Sequence, residues 1–195
     1  MLTEALDILD ADGADHLVIG GLATRALLSE PMDVSDDVDV FIRAGDAEPL
    51  LDRFSRDGFA VYRRDRRWLY KVAKPDVTID LIFRAGERIE LDDEHLGRSS
   101  IVDLEGIAVP VPAAEDLAVM KAVFDGEDRQ GRWYGAIRLL KDLPIDWDYL
   151  AARGEMHAPR RVLSLLLYAA DEGIPAPDWV LARLSAATAR PPEPT

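Results

Sequence analysis

The sequence of 195 residues contains no cysteine, and its three histidines, His16, His95 and His157, lie far apart. Disulfide frameworks, thiolate zinc sites and cysteine nucleophiles are therefore excluded, and a histidine-rich metal site is not expected. No apolar run approaches the roughly 18 to 20 residues of a membrane helix, and no basic-then-apolar secretion signal is present. We expect a soluble, cytoplasmic protein that has no membrane partner.

Charge is unevenly distributed along the chain. Lys and Arg number 23 against 37 Asp and Glu, a net charge of −14, which disfavours indiscriminate polyanion binding by the whole surface. Residues 53–74 nevertheless hold eight Lys or Arg against two Asp, a local net charge of +6. With 48% hydrophobic residues the chain can build a core, and a basic patch on this acidic body is compatible with a phosphate-bearing substrate.

Periodicity predicts an α+β chain in two parts. We expect an α/β core over 1–112, a C-terminal helical lobe over 113–190, and a disordered tail at 191–195. The core should hold helices before Gly13, after Gly20-Gly21 and between Asp46 and Gly58. Its strands are expected at residues 16–20, 38–42, 59–64, 66–73 and 77–84, with a hairpin at 101–111.

Two aspartates separated by one residue are the first candidate site. In a strand over 38–42, Asp37 and Asp39 point to the same side while Val38 points into the core. Carboxylates this close repel unless a cation lies between them, and hard oxygen ligands suit Mg²⁺. The alternative is an acidic strand end that faces solvent.

A third carboxylate lies in the middle of the apolar segment 77–83. An unpaired charge at Asp80 would be costly there, so Asp80 needs a partner such as a metal ion or an arginine. A structural ion pair is one interpretation. If this strand lies beside 37–42, Asp80 joins Asp37 and Asp39 in a two-metal site, which can activate an attacking hydroxyl and stabilise a leaving phosphate.

The diglycine Gly20-Gly21 is a candidate phosphate contact. Glycine lets backbone amides approach a ligand closely, and the following helix directs its positive end to the same place. Tight helix–strand packing is the alternative. Ser35 has two interpretations as well, a hydroxyl donor to a phosphate oxygen or a support for its turn. Neither a P-loop nor a G-x-G-x-x-G fingerprint occurs in the chain.

These motifs together resemble the DNA polymerase β-type nucleotidyltransferase superfamily, and within it the AbiEii-like nucleotidyltransferases, which include toxins of toxin–antitoxin and abortive-infection systems. The resemblance covers roughly residues 14–150. It implies a nucleotidyltransferase fold, a mixed β-sheet flanked by helices, with a C-terminal helical lobe. The matching residues are Gly20-Gly21, Arg25, Ser35-x-Asp37-x-Asp39, Asp80, Val109-Pro-Val-Pro112, Glu115-Asp116-Leu117, Lys121 and Ile145–Leu150.

The resemblance also implies roles for these residues. Asp37, Asp39 and Asp80 would hold Mg²⁺, as two ions and with Mn²⁺ as a substitute, and Asp80 would help deprotonate the acceptor hydroxyl. The nucleoside triphosphate would contact Gly20, Gly21, Arg25, Ser35 and Lys121. A snorkelling lysine on a helix edge is the alternative for Lys121.

The implied reaction transfers a nucleoside monophosphate from an NTP to an acceptor hydroxyl and releases pyrophosphate. On the resemblance alone, we expect the acceptor to be RNA, such as a tRNA end, or a protein hydroxyl, in a toxin-like role with a cognate antitoxin as a partner. An aminoglycoside-type small molecule is the alternative acceptor. Residues 62–70 offer an RNA contact or a merely solvated hairpin.

One departure from the family pattern concerns the segment 131–135. Relatives carry two aspartates where this chain has Arg132 and Gly135. Either Asp125, Glu127 or Asp128 compensates for them, or that function is absent. The departure motivates a further alternative, a catalytically silent protein that binds a nucleotide or a partner.

Overall fold

The computed structural model describes residues 2–31, 38–75, 77–124 and 129–189, without the side chains of 129–132. Two compact units make up the chain, Met1–Ala113 and Ala114–Thr195. The first unit contains a mixed β-sheet with helices, and the second is helical over its described residues. The predicted α+β fold class is confirmed.

The first unit holds four α-helices and seven strands within its described residues, and a 3₁₀ turn at Ala44–Asp46 precedes the third helix. The helices are α1 (Leu2–Ala11), α2 (Gly20–Leu27), α3 (Ala47–Arg56) and α4 (Asp93–Gly97). The strands are β1 (His16–Ile19), β2 (Val38–Ile42), β3 (Ala60–Asp65), β4 (Leu69–Lys74), β5 (Val77–Ile82), β6 (Ser100–Leu104) and β7 (Ile107–Val111).

The main sheet has the strand order β1-β2-β5-β4-β3. Strands β2 and β5 pair in parallel, and the other pairs are antiparallel. The strand that carries Asp80 therefore lies directly beside the strand that carries Asp39. Strands β6 and β7 form a separate two-stranded sheet.

One face of the main sheet is covered by α3. This helix buries Leu50, Leu51 and Phe54, and the Tyr70 hydroxyl on β4 donates a hydrogen bond of 2.7 Å to Glu48 on α3. Tyr70 is paired in register with Leu81, which is itself fully buried. Because successive side chains alternate between faces, the residues next to these in sequence point to the opposite face.

The short helix α4 is an element that periodicity does not predict, because five residues are too few to show a repeat. Its first turn is fixed by a capping box, in which Asp92 accepts a hydrogen bond from the His95 amide at 2.9 Å. The His95 ring is buried and packs edge-on against Phe41, with ring centroids 5.5 Å apart. His95 is thus part of the core of the first unit.

The second unit is built around a helix that is buried on every side. All ten residues of α5 (Ala114–Val123) are buried, including Asp116 and Lys121, and α5 packs against three of the other helices of the unit. Those other helices are α6 (Arg129–Asp142), α7 (Trp147–His157), α8 (Pro159–Asp171) and α9 (Asp178–Thr188). In the described part of the chain, no helix has the length and apolar character needed to cross a bilayer.

Candidate active site

Asp39 and Asp80 lie side by side on the main sheet. They are direct partners in the register of parallel strands β2 and β5, so their side chains project from the same face. This face is opposite the one that α3 covers. The structure therefore brings together two carboxylates that are 41 residues apart in sequence. Their backbones are separated by one strand spacing, ~4.8 Å.

The other two predicted residues of this region, Ser35 and Asp37, lie outside the described residues. Within the residues that are described, no group of three or more His, Cys, Asp or Glu is close enough to hold a metal ion. The three-carboxylate site consequently stays a prediction, of which the structure describes the pair formed by Asp39 and Asp80.

Gly20, which directly follows β1, lies against the Asp39 side chain. Its φ of +72° is a left-handed conformation that favours glycine. A Cβ atom at this position would overlap Asp39 Oδ2 and lie 3.0 Å from Asp39 Cγ. Gly20 also begins α2, and its carbonyl accepts a hydrogen bond of 2.8 Å from the Thr24 hydroxyl. The diglycine turn thus lets the backbone approach a carboxylate of the site.

Asp80 has a cationic neighbour on the adjacent antiparallel strand. Lys71 Nζ lies 2.9 Å from Asp80 Oδ1, and the two side chains are 28% and 16% exposed. Asp80 Oδ1 is buried. Among the described residues it accepts no hydrogen bond of good geometry, and its contact with Lys71 is therefore an ion pair only. A structural ion pair, one of the two interpretations of Asp80, is therefore present, and its cation is a lysine where an arginine was expected.

Lys71 is a site residue that the sequence analysis missed. Nothing in its local sequence distinguishes Lys71 from the other cations of the basic segment. Its partner follows only from the register of β4 on β5, which pairs Lys71 with Asp80. The same row of paired residues continues to Tyr62 on the edge strand β3, a side chain that is 49% exposed.

The basic segment 53–74 is largely neutralised within the first unit. Hydrogen bonds from Arg63 and Tyr70 lower the pKa of Glu48 to about 2, and hydrogen bonds from Arg67 lower the pKa of Asp65 to about 2. Five of the eight cations pair with carboxylates in this way: Arg53 with Asp12 and Asp57, Arg63 with Glu48, Arg67 with Asp65 and Glu87, Lys71 with Asp80, and Lys74 with Glu4.

The composition of segment 53–74 overstates the number of cations that are available to a polyanion. Arg64 and Arg66 form no ion pair within 4.0 Å of a described carboxylate, although the charge of Arg66 also lowers the pKa of Glu48. Arg56 donates a hydrogen bond to the Asp52 carbonyl. The nucleic-acid contact at residues 62–70 therefore stays a prediction that depends on Arg64, Arg66 and the exposed Tyr62 ring.

The predicted nucleotide residues Gly21 and Arg25 both belong to α2. Gly21 is exposed in its first turn. Arg25 lies in its last turn, where Nη1 is 4.0 Å from a Glu30 carboxylate oxygen and donates a hydrogen bond of 3.5 Å to the Pro31 carbonyl. In this structure Arg25 thus fastens the segment that leaves α2.

Lys121 is described within the second unit. Its side chain is only 8% exposed, so it is a buried lysine on α5. A Cβ atom at Gly135 on α6 would lie 3.2 Å from Lys121 Nζ and 3.4 Å from Cε. Gly135 therefore leaves the space along which the Lys121 side chain lies.

A buried charge network joins α5 to α7. Asp116 accepts a hydrogen bond of 2.9 Å from Arg153 Nε and one of 2.8 Å from the Tyr149 hydroxyl. The neighbouring Glu115 accepts a hydrogen bond of 2.7 Å from the Asp146 amide, next to the start of α7. These contacts between residues 115–116 and 146–153 hold the two helices together.

A comparison with protein families gives the chain its assignment. Residues 1–153 match the family described as "Nucleotidyl transferase of unknown function (DUF2204)". The chain belongs to this family. It is therefore an enzyme of the nucleotidyl transferase class, and the α2–β2–β5 arrangement is the candidate active site of that enzyme. No curated protein matches the chain in sequence.

Solved structures of low sequence identity share the fold. Antibiotic-resistance factor ANT(2'')-Ia aligns with a TM-score of 0.56 at 16% identity over 88% of this chain and 93% of its own. A nucleotidyltransferase-like protein from Paracoccidioides brasiliensis has a TM-score of 0.53 at 15% identity, over 95% and 91%. Lincosamide antibiotic adenylyltransferase LnuA has a TM-score of 0.53 at 11% identity, over 71% and 95%. These likenesses show the fold.

Proposed function

We propose that this nucleotidyl transferase moves a nucleoside monophosphate from an NTP to an acceptor hydroxyl in a reaction that depends on Mg²⁺. The observation that carries the proposal is the pairing of Asp39 with Asp80 on one face of the sheet, with the Gly20 backbone packed against Asp39. Adjacent carboxylates repel each other, and a cation that binds to both relieves this repulsion.

The described residues fit a hard divalent cation. Their donors are carboxylate oxygens, which Mg²⁺ prefers, and a buried oxygen of Asp80 lacks a hydrogen bond of good geometry. Asp39 and Asp80 would hold the metal, two ions where Asp37 joins them, and Mn²⁺ would substitute for Mg²⁺. When bound, the metal supplies positive charge to the triphosphate and makes the acceptor hydroxyl more acidic.

The protein's own residues would bind and orient the reactants. Asp80 would accept the proton of the acceptor hydroxyl, whose oxygen forms a bond to the α-phosphorus as the bond to the pyrophosphate oxygen breaks. The amides of Gly20 and Gly21, at the positive end of α2, would donate to phosphate oxygens. Ser35, Arg25 and Lys121 would complete the triphosphate contacts.

We propose RNA, such as a tRNA end, or a protein hydroxyl as the acceptor, in a toxin of the AbiEii-like type with a cognate antitoxin. The exposed Tyr62 ring supports this proposal, since it lies in the same row of the sheet as Asp39 and Asp80. Arg64, which follows on the same strand, is a cation that no described carboxylate neutralises. An aromatic ring and a guanidinium are typical contacts of single-stranded nucleic acid.

A small cationic acceptor is the second candidate. The chain carries a net charge of −14, and most cations of its basic segment are already paired, which favours a positively charged partner. Two fold neighbours are an antibiotic-resistance factor and a lincosamide adenylyltransferase. Membership in an enzyme family makes a catalytically silent binding protein the weakest alternative.

Isotope transfer tests the proposal. Each α-³²P-labelled NTP is incubated with Mg²⁺ and the protein, together with total RNA, total cell protein or a panel of aminoglycosides and lincosamides. We expect label to enter one acceptor class, and Asp39→Asn to abolish the transfer without a change in fold. Asp52→Asn, an exposed carboxylate on α3, is the matched control.

Equal labelling by the unaltered protein and Asp39→Asn would refute the assignment of the site. Label on an aminoglycoside and none on RNA or protein would exclude the toxin-like role. Growth arrest on overexpression that Asp80→Asn relieves would support that role.

A further inference from the structure

We infer that Lys71 competes with the divalent cation for Asp80, and that it is a positioning residue of the metal site. The inference rests on the proposed function, because it assumes that Asp80 is a metal ligand. It goes beyond that function because it assigns a role to a side chain on β4, a strand that carries none of the predicted metal or nucleotide ligands.

The geometry places the ammonium group on an oxygen that a metal ion would need. Lys71 Nζ lies 2.9 Å from Asp80 Oδ1, and this oxygen is buried. The Asp80 side chain as a whole is only 16% exposed, so its carboxylate has little access to water. A divalent cation that binds Oδ1 must therefore displace the ammonium or accept a like charge beside it.

The Lys71 ammonium group also offsets the repulsion between the two carboxylates. Asp39 and Asp80 are cross-strand partners on one face, and two carboxylates so placed repel each other. Lys71 supplies positive charge at the end of this row and holds Asp80 in place before a metal ion binds. Its side chain is 28% exposed on a flexible stem, so it can withdraw toward water when a divalent cation arrives.

The chain contains a matched lysine for comparison. Lys74 lies on the same strand, is 26% exposed, and pairs with Glu4 of α1 at 2.6 Å. It is an odd number of residues from Lys71, so it points to the opposite face of the sheet, away from Asp39 and Asp80. Removal of Lys74 therefore breaks a similar ion pair on the same strand without touching the proposed metal site.

The test measures Mn²⁺ binding to the full chain without nucleotide, from the free Mn²⁺ signal in electron paramagnetic resonance. A partly exposed ion pair contributes little free energy, so its removal should have a modest effect. We expect Lys71→Met and Lys71→Gln to bind Mn²⁺ about two- to fivefold more tightly than the unaltered protein. Lys71→Arg, which keeps the positive charge, should match the unaltered protein or bind more weakly. Lys74→Met should match the unaltered protein.

Thermal unfolding gives a second readout. In EDTA, Lys71→Met should melt at a lower temperature than the unaltered protein. Addition of Mn²⁺ should raise the melting temperature of Lys71→Met by more than it raises that of the unaltered protein. Unchanged or weaker Mn²⁺ binding by both neutral variants would overturn the competition. If Mn²⁺ binding is lost in Asp39→Asn while the Lys71 variants bind no more tightly, the competition is overturned and the proposed function stands. If the unaltered protein binds no Mn²⁺, the competition and the proposed function are both overturned.

Discussion

At the residue scale, Gly20 is the position where one methyl group should matter most. In Gly20→Ala the new Cβ overlaps Asp39 Oδ2, and it also strains a backbone with φ of +72°. We expect the displaced carboxylate to reduce nucleotidyl transfer by about 100-fold, the usual consequence of a misplaced catalytic group. Transfer rates with the identified acceptor measure the effect.

Gly13→Ala separates the clash from the strain. Gly13 has a similar φ of +67°, but a Cβ there would meet no atom within 4 Å. Both variants should lose roughly 1 kcal/mol of unfolding free energy from the strained backbone. Only Gly20→Ala should also lose activity. An equal loss of activity in the two variants would show that Gly20 does not act through Asp39.

Gly135 leads to a second prediction at this scale. In Gly135→Ala the added methyl group lies 3.2 Å from Lys121 Nζ, so the ammonium must shift. Because alanine favours a helix over glycine by about 1 kcal/mol, the unfolding free energy should stay the same or rise. If Lys121 binds the triphosphate, the KM for NTP should rise several-fold, as steady-state kinetics would show.

Gly97→Ala is the control for this prediction, since Gly97 is also helical but has no atom within 4 Å of a new Cβ. An unchanged KM in Gly135→Ala would argue against a role for Lys121 in NTP binding.

At the scale of elements, the contact between α5 and α7 rests on buried charges. Arg153→Met would remove the guanidinium group that donates to the buried Asp116 carboxylate. We expect the unfolding free energy to fall by about 3–5 kcal/mol, as is typical when one partner of a buried pair is removed. Urea denaturation of the purified variant measures the loss.

The exposed pair between Arg183 and Glu155 offers the matched variant. Its distance of 2.9 Å equals that of the buried pair, but both of its side chains are partly exposed. Arg183→Met should therefore cost no more than about 1 kcal/mol. If the two substitutions cost the same, burial of the Asp116 charge does not stabilise the α5–α7 contact.

At the scale of the whole molecule, ion pairs make the stability of the protein depend on pH in the acidic range. Hydrogen bonds from Arg63 and Tyr70 lower the pKa of Glu48 in the folded protein to about 2, from an ordinary value of 4.5. A carboxyl whose pKa is lower when folded stabilises the protein above the unfolded pKa and loses this contribution as the pH falls toward the folded pKa. The melting temperature should therefore fall between about pH 5 and pH 2.

The same reasoning applies to Asp65 beside Arg67, since the pKa of Asp65 is also about 2. Glu48→Gln should flatten the decrease in melting temperature over this range, and added salt should reduce its size because these groups are exposed. Glu172→Gln, at the exposed end of α8, should leave the profile unchanged. An identical profile for Glu48→Gln would contradict the prediction.

The sequence by itself determined the features that depend on near neighbours in the chain. The breaks at Gly13 and Gly58, the strand at residues 38–42 and the change to helices after residue 112 follow from periodicity and turn residues. Likewise, alternation along a strand places Val38 in the core and Asp39 on the other face. Absence of cysteine excludes thiol chemistry before any fold is known.

Only the tertiary structure decided which distant groups meet. The insertion of β5 beside β2 pairs Asp80 with Asp39, and the register of β4 then gives Asp80 its contact with Lys71. Glu4 neutralises Lys74 from 70 residues away, so the net charge of a segment does not show which of its cations are available. Strand order and register are set by packing over the whole sheet, and the local pattern of a strand does not contain them.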